Sequence, residues 1–307
     1  TMGCIYAPFI IKESMQVSRM WKRFPMIYFD NAATTPVIPA VADRIREVLV
    51  NDWGNPSSLH RKGFEAEKII EKAREEISRA MLVKPKTLIF TSCATEANNM
   101  AVRSAIKGKT GANIVYSAVE HSSIDTLANQ LAKEGVETRI IPVDEKGRVN
   151  ADDLAKLVDE NTALVCVMQV NNELGTIQPV EELARVTKQI NPKAKFLVDG
   201  VQGFCKFPLN LKDSPIDYYS VSAHKIHGPK GIGLLYVKEG EKLEPLMYGG
   251  GHEFGLRPGT ENVAYIVGMA RALELAQAAR AAEAARIQRL RDRLVSGLLA
   301  AIPDAEL

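Results

Sequence analysis

"TLIFTSCATEANNMAV", residues 87–102, holds two kinds of secondary structure in sixteen letters. Leu88, Ile89 and Phe90 make a short apolar run rich in strand-forming side chains. Small residues follow at Ser92, Cys93 and Ala94, and a helix is predicted to start near Ala94 and Thr95. The same strand-then-helix alternation recurs along the chain. "ANIVYSAV" (112–119), "ETRIIPV" (137–143), "ALVCVMQV" (163–170), "KFLVDG" (195–200), "DYYSVSA" (217–223) and "IGLLYV" (232–237) read as strands. Between them lie amphipathic helices. In 65–81, "EAEKIIEKAREEISRAM", Ile69, Ile70, Ala73 and Ile77 share one stripe. The run 122–135, "SSIDTLANQLAKEG", offers Ser122 as N-cap and Gly135 as a stop. "NADDLAKLVDE" and "VEELARVTKQI" continue the pattern. Strands alternating with helices predict an α/β fold whose sheet is mostly parallel and flanked by helices.

Residues 263–301 break the alternation. They are rich in Ala, Leu, Arg and Glu without a proline, and predict one long helix of roughly 50 Å, or two nearly collinear ones. A helix of that length commonly leads from one domain into another.

Bulk properties exclude several function classes. The 307 residues carry 39 basic and 37 acidic side chains, interspersed, which argues against nucleic acid as the main ligand. No apolar run approaches the ~18 residues of a membrane span. Cys4, Cys93, Cys166 and Cys205 lie far apart without a CxxC pair, so neither a disulfide framework nor a zinc site is expected. A reducing compartment follows, read here as cytoplasmic, with an organellar matrix as the alternative. In residues 1–25 the basic residues follow the apolar patch, the reverse of a signal peptide. That stretch reads as a poorly ordered extension, with an amphipathic presequence as the second reading.

Four places could carry chemistry, and each has a plain structural reading beside it. The junction at Ala94 and Thr95 could seat a phosphate on unpaired helical N–H groups, or simply be a capped helix start. His121 stands directly after a strand, where a ring could stack on a flat cofactor or merely satisfy a hydrogen bond. Asp199 closes an apolar strand, where burying an acid is costly unless a positive group meets it. A protonated pyridine nitrogen would be such a group; a cap or salt bridge is the simpler one. Lys225 lies in "SVSAHKIHGPKG" (220–231) and alone reads as a surface lysine. With Ser222 and His224 beside it as phosphate donors, Asp199 on another strand and the phosphate seat upstream, the four together point to pyridoxal phosphate.

The sequence then resembles a known family. "YFDNAATTPV", "GNPSSLHRKG", "FTSCATEANN", "AVEHSSI", "VNNELGTIQPV", "VDGVQ", "SAHKIHGPKGIG" and "GGGHEFGLRPGTEN" occur in the order and register of the cysteine desulfurases. These are pyridoxal-phosphate enzymes that supply sulfur for iron–sulfur clusters and other thio-cofactors. The resemblance implies the fold-type I architecture of pyridoxal-phosphate transferases, L-cysteine as substrate, a homodimer, and a sulfur-acceptor or cluster-scaffold protein as partner. It implies that Lys225 carries the cofactor as a Schiff base. Asp199 would pair with the pyridine nitrogen, Gln202 with the phenolic oxygen, and His121 would stack on the ring. Ala94, Thr95, Ser222 and His224 would hold the phosphate, with Thr260 reaching in from the other subunit. Asn172 would contact the cofactor or the substrate carboxylate. No metal site is implied. Three positions depart from the pattern: Cys93 and Gly200 stand where the family has Gly and Ala, and Pro258 stands where it has Ser.

The family attacks the substrate sulfur with a cysteine on a mobile C-terminal loop. None of the four cysteines falls in a matching motif, so sulfur transfer by these 307 residues is expected to be impaired. Residues 26–262 are expected to form the cofactor-binding large domain, and 263–307 a linking helix and the start of an incomplete small domain. The alternatives are a selenocysteine lyase or another class V enzyme, and a non-catalytic scaffold that binds the cofactor.

Overall fold

The computed structural model describes residues 27–208 and 210–305. The extension read at 1–25, with Cys4, lies outside the described residues. The chain divides into two compact units between Asn31 and Ala32, and the sheet, its helices and the site below all lie in the second.

Seven strands form one sheet: β1 (Leu88–Thr91), β2 (Asn113–Ser117), β3 (Glu137–Ile141), β4 (Thr162–Cys166), β5 (Lys195–Asp199), β6 (Tyr218–Ser222) and β7 (Gly233–Val237). Their spatial order is β1-β7-β6-β5-β4-β2-β3. β3, β2, β4, β5 and β6 pair in parallel, and β7 runs antiparallel between β6 and β1. The parallel pairs need crossovers, and the helices supply them. The sheet is therefore mostly parallel, as its strand–helix alternation predicts.

Apolar side chains on both strand faces explain why the strands read as continuous hydrophobic runs rather than alternating ones. Phe90, Val115, Val165, Phe196, Val198, Tyr219 and Leu234 join one core. Ile89, Ile114, Tyr116, Leu164, Leu197, Tyr218 and Leu235 join the other. The first core is closed by α1 (Pro39–Asn51), α2 (Arg61–Met81), α5 (Ala151–Leu157) and α6 (Val180–Ile190). The second is closed by α3 (Ala94–Ile106) and α4 (Ser122–Lys133). In α2, Ile70, Ala73 and Ile77 are buried, as the stripe predicts, and Ile69 packs against them part-buried.

The start of α4 corrects the sequence reading. Ser122 is its first helical residue, and the cap is His121, whose side chain accepts from the Ser123 N–H. The imidazole thus replaces the hydroxyl because Ser122 has already entered helical geometry.

The last helix, α7 (Val263–Ala301), is one unbroken helix of 39 residues, about 58 Å at 1.5 Å per residue. Its buried residues run from Val263 to Leu273, against α1 and α2. Beyond them Ile287, Leu290, Leu294 and Leu298 are exposed at helical spacing.

The departure at Gly200 has a packing cause. A Cβ there would lie 1.9 Å from Cζ of Tyr219, whose ring is buried and whose hydroxyl donates to Gln169 at 2.7 Å. The bulk of Tyr219 occupies the space an alanine would need. Gly200→Ala is expected to cost about 1–3 kcal/mol by overpacking, measured by urea denaturation. Adding Tyr219→Phe should not relieve it, because the overlap involves ring carbons as well as the hydroxyl. An unchanged midpoint in Gly200→Ala would overturn this account.

Candidate active site

All but one of the candidate site residues gather beyond the carboxyl ends of the parallel strands, where open α/β sheets place their ligands. β1 leads to Ala94 and Thr95, β2 to His121, β4 to Asn172, β5 to Asp199 and Gln202, and β6 to Ser222, His224 and Lys225. Thr260 stands apart in the 249–262 loop and is exposed. Cys166 is a buried strand residue and Cys205 a half-buried loop residue.

Asp199 is the chemical centre of this arrangement. Only 5% of it is exposed, and its carboxylate accepts from the Val201 N–H at 3.0 Å and Asn98 Nδ2 at 2.9 Å. Burial pushes the carboxyl above its ordinary value, against those two hydrogen bonds and the pull of the nearby Lys225. None of the ion pairs among the described residues includes it.

Asn98 also donates to Ser123 Oγ at 2.9 Å, and that hydroxyl lies 3.0 Å from His121 Nδ1. The Ser123 N–H donates to the same ring nitrogen at 3.1 Å. With Nδ1 accepting, the neutral imidazole carries its proton on Nε2, and the exposed ring is held in one orientation. A line of contacts thus links Asp199 to His121 through Asn98 and Ser123. Sequence reasoning missed Asn98, which the fold turns inward on a helix that otherwise buries apolar residues.

α3 begins without a side-chain cap. Cys93, at the N-cap position, has an extended backbone (φ −171°, ψ 170°) and makes no capping bond. The N–H groups of the first turn are therefore open to a ligand. Any residue adopts that backbone, so a cysteine is tolerated where the family has glycine. What the site does require is Gly233: a Cβ there would fall 2.6 Å from the Cys93 carbonyl carbon.

Across the seat, Ser222 is buried and His224 half-buried. Burial, with Lys225 and Lys230 nearby, holds the His224 imidazole below its ordinary value, so it is neutral at pH 7. Its Nδ1 lies 3.0 Å from Thr34 Oγ1. Lys225 Nζ donates to the Ala32 and Ala33 carbonyls. Gln202 Nε2 donates to the same Ala32 carbonyl at 2.8 Å, while its Oε1 accepts from Lys206 at 3.1 Å. Burial, aided by Lys225, depresses Lys206 below the usual lysine value. Asn171 folds its own loop, accepting from the Glu173 and Leu174 N–H groups and donating to Val119. That leaves Asn172, half-buried, as the asparagine available to a ligand.

These residues fit pyridoxal phosphate on two counts. A buried carboxylate outside every ion pair calls for a cation, which a protonated pyridine provides. An uncapped helix start facing Ser222 and a neutral His224 suits a phosphate. Among the described residues no cluster of His, Cys, Asp or Glu could hold a metal ion.

The geometry agrees with three kinds of comparison. The family model for aminotransferase class-V matches residues 27–307. A cysteine desulfurase (IscS) of Dictyoglomus turgidum is 41% identical over 284 residues, covering 92% of this chain and 71% of that protein. Among solved structures, a NifS-like protein superposes with a TM-score of 0.88 at 42% identity, over 90% of this chain and 76% of the other. SspA in complex with cysteine superposes at 0.77 and 35% identity, over 81% and 72%. With its antiparallel β7 set into a parallel sheet and its lysine and aspartate on adjacent strand ends, the chain belongs to the class-V aminotransferases, among the cysteine desulfurases.

Proposed function

We propose that this protein is a pyridoxal-phosphate-dependent cysteine desulfurase that converts L-cysteine to L-alanine and passes the sulfur to an acceptor protein for iron–sulfur cluster and thio-cofactor assembly. The observation that carries the reading is Asp199, buried and outside the ion pairs of the described residues, on the strand next to the one that leads to Lys225. Bound at this site, the cofactor supplies an electron sink for cleavage at the substrate Cα. Lys225 anchors it and, once released, moves the Cα proton. Asp199 keeps a proton on the pyridine nitrogen, and the Asn98–Ser123 contacts hold His121 over the ring face. The first turn of α3, at Ala94 and Thr95, with Ser222 and His224, grips the phosphate. Gln202 bonds the phenolic oxygen in place of Ala32, and Asn172 orients the substrate carboxylate.

Residues 26–262 act as the cofactor-binding domain, and α7 leads out of it. The working unit is a homodimer in the cytoplasm, with the exposed Thr260 reaching the neighbouring subunit's phosphate. Two of the three described cysteines, Cys166 and Cys205, make poor sulfur acceptors. Burial pushes the Cys166 thiol far up and the Cys205 thiol up to about 12, so neither offers a thiolate at neutral pH.

The test is spectroscopic. Incubation with pyridoxal phosphate is expected to give a visible absorption band that borohydride makes permanent, with the cofactor mass on the peptide containing Lys225. Lys225→Ala should show neither. A band that survives in Lys225→Ala, or none in folded wild type, would refute the site.

A further inference from the structure

Glu96 sits in the first turn of α3, at the helix end assigned above to phosphate. A carboxylate there is a competitor: it suits the positive end of the helix dipole and repels an incoming dianion. The structure binds it from two sides. The Ser92 N–H donates to its Oε2 at 2.6 Å. Arg257, from the 249–262 loop, donates through Nε to Oε1 at 2.8 Å and through Nη2 to Oε2 at 3.3 Å. Burial opposes ionisation, but the hydrogen bonds from Arg257 and Ser92 outweigh it and hold the carboxyl below its ordinary value. The carboxyl is therefore charged at neutral pH, and Arg257 is its counter-ion. Nearby, Arg257 also feels the charges of Glu253 and Glu261. Glu253 is already paired with Arg74, and among the described residues the ion-pair neighbour of Glu261 is His252, at 4.0 Å. The loop is thus rich in acid close to a phosphate seat, and Arg257 is the cation that offsets the acid on α3 itself.

We propose that Arg257 is a positioning residue for the cofactor phosphate: by neutralising Glu96 it keeps the start of α3 electrostatically open to a phosphate dianion. The inference rests on the proposed function, since it takes α3 as the phosphate seat. It also gives the 249–262 loop a role within its own subunit, distinct from any reach of Thr260 toward a partner. Glu96 is kept because it closes the turn before α3 through Ser92; Arg257 removes the electrostatic cost of doing so.

The test compares pyridoxal phosphate with pyridoxal, which has the same ring and aldehyde but no phosphate. Equilibrium binding of each is measured by absorbance for wild type, Glu96→Gln, Arg257→Gln and the double variant, at low and moderate salt. Arg257→Gln is expected to weaken pyridoxal phosphate roughly tenfold or more at low salt, less at higher salt, and to leave pyridoxal nearly unchanged. Glu96→Gln keeps an acceptor for Ser92 and should bind pyridoxal phosphate as well as wild type or better. The double variant should recover most of the loss. A merely structural Arg257 would weaken both ligands alike and show no recovery, and that result overturns the inference while leaving the cofactor site standing. Wild type that binds neither ligand through Lys225 overturns the inference together with the reading beneath it.

Discussion

Arg74→Ala is expected to lower unfolding stability by about 3–5 kcal/mol, the usual cost of removing one partner from a buried ion pair. Arg74, on α2, is 8% exposed and Glu253 is 5% exposed. Arg74 Nη2 donates to Glu253 Oε1 at 2.6 Å and Nη1 to Oε2 at 3.0 Å, and Nη1 also donates to the Leu88 carbonyl at 2.6 Å. The guanidinium carbon stands 4.6 Å from the Phe90 ring centroid and 5.0 Å from that of Phe254. Glu253 in turn accepts the Phe90 N–H at 2.8 Å. The loss would therefore strand a carboxylate, a strand carbonyl and two aromatic faces together.

The consequence reaches the site because Glu253 anchors a strained turn. Glu253, Phe254 and Gly255 have φ of 46°, 61° and 79°, left-handed values that two of the three residue types adopt only when held there. That turn carries the chain to Arg257 and Thr260. Urea denaturation should show the stability loss with little change in slope, and pyridoxal-phosphate affinity should fall with it. The double variant Arg74→Met with Glu253→Gln should recover part of the stability, since neither charge is then left alone. A loss below 1 kcal/mol in Arg74→Ala would show that the pair contributes little and that packing alone holds the turn.

The sheet was legible because its strands announce themselves twice, by apolar runs and by the helices between them. The site was legible where a residue type is surprising in its place. An aspartate closing "KFLVD" demanded a partner, and a lysine among Ser222, His224 and glycines suggested a ligand. Other residues gave no such signal. Asn98, Glu96 and Arg74 sit on helices where polar side chains are ordinary, and only the folded chain shows that they turn inward. Arg257 and Glu253 were quoted within a motif, but their partners are 161 and 179 residues away in sequence. Pairings across such separations leave no local pattern to read. The cap at His121 was misassigned for a related reason: serine and histidine stand side by side at the helix start, and only backbone geometry decides which of them lies outside the helix and caps it. No structural reason emerges for Pro258.

Glu120 should make the stability of this protein fall as pH rises from about 4.5 to about 8, and Glu120→Gln should abolish that fall. Its Oε1 accepts from Ser117 Oγ and from the Met168 N–H at 2.7 Å, while Oε2 is buried without a partner. Burial drives the carboxyl from 4.5 up to about 8, with the Asp199 charge adding to the rise and the two hydrogen bonds opposing it. Asp199, Cys166 and the adjacent His121 are the titratable groups around it, and Cys166 is itself pushed far up. The sign follows from proton counting. Below about 4.5 the folded and unfolded chains both hold the proton, so Glu120 contributes no pH dependence. Between 4.5 and 8 only the folded chain holds it, and raising the pH favours unfolding by about 1.4 kcal/mol per unit. Above 8 both have released it and the penalty is complete, on the order of 5 kcal/mol. Glu120→Gln keeps the Oε1 acceptor without a titrating proton. Its advantage over wild type should be near zero at pH 4.5, grow through neutrality and level off above pH 8, as read from paired denaturation curves. The same proton matters to the chemistry. While Glu120 is neutral, Asp199 is the one charged carboxylate of the two, and the pairing proposed for it with a pyridine proton would be undivided. A pH-independent difference between the two proteins would mean that Glu120 is already ionised in the folded chain, and that two carboxylates share the site.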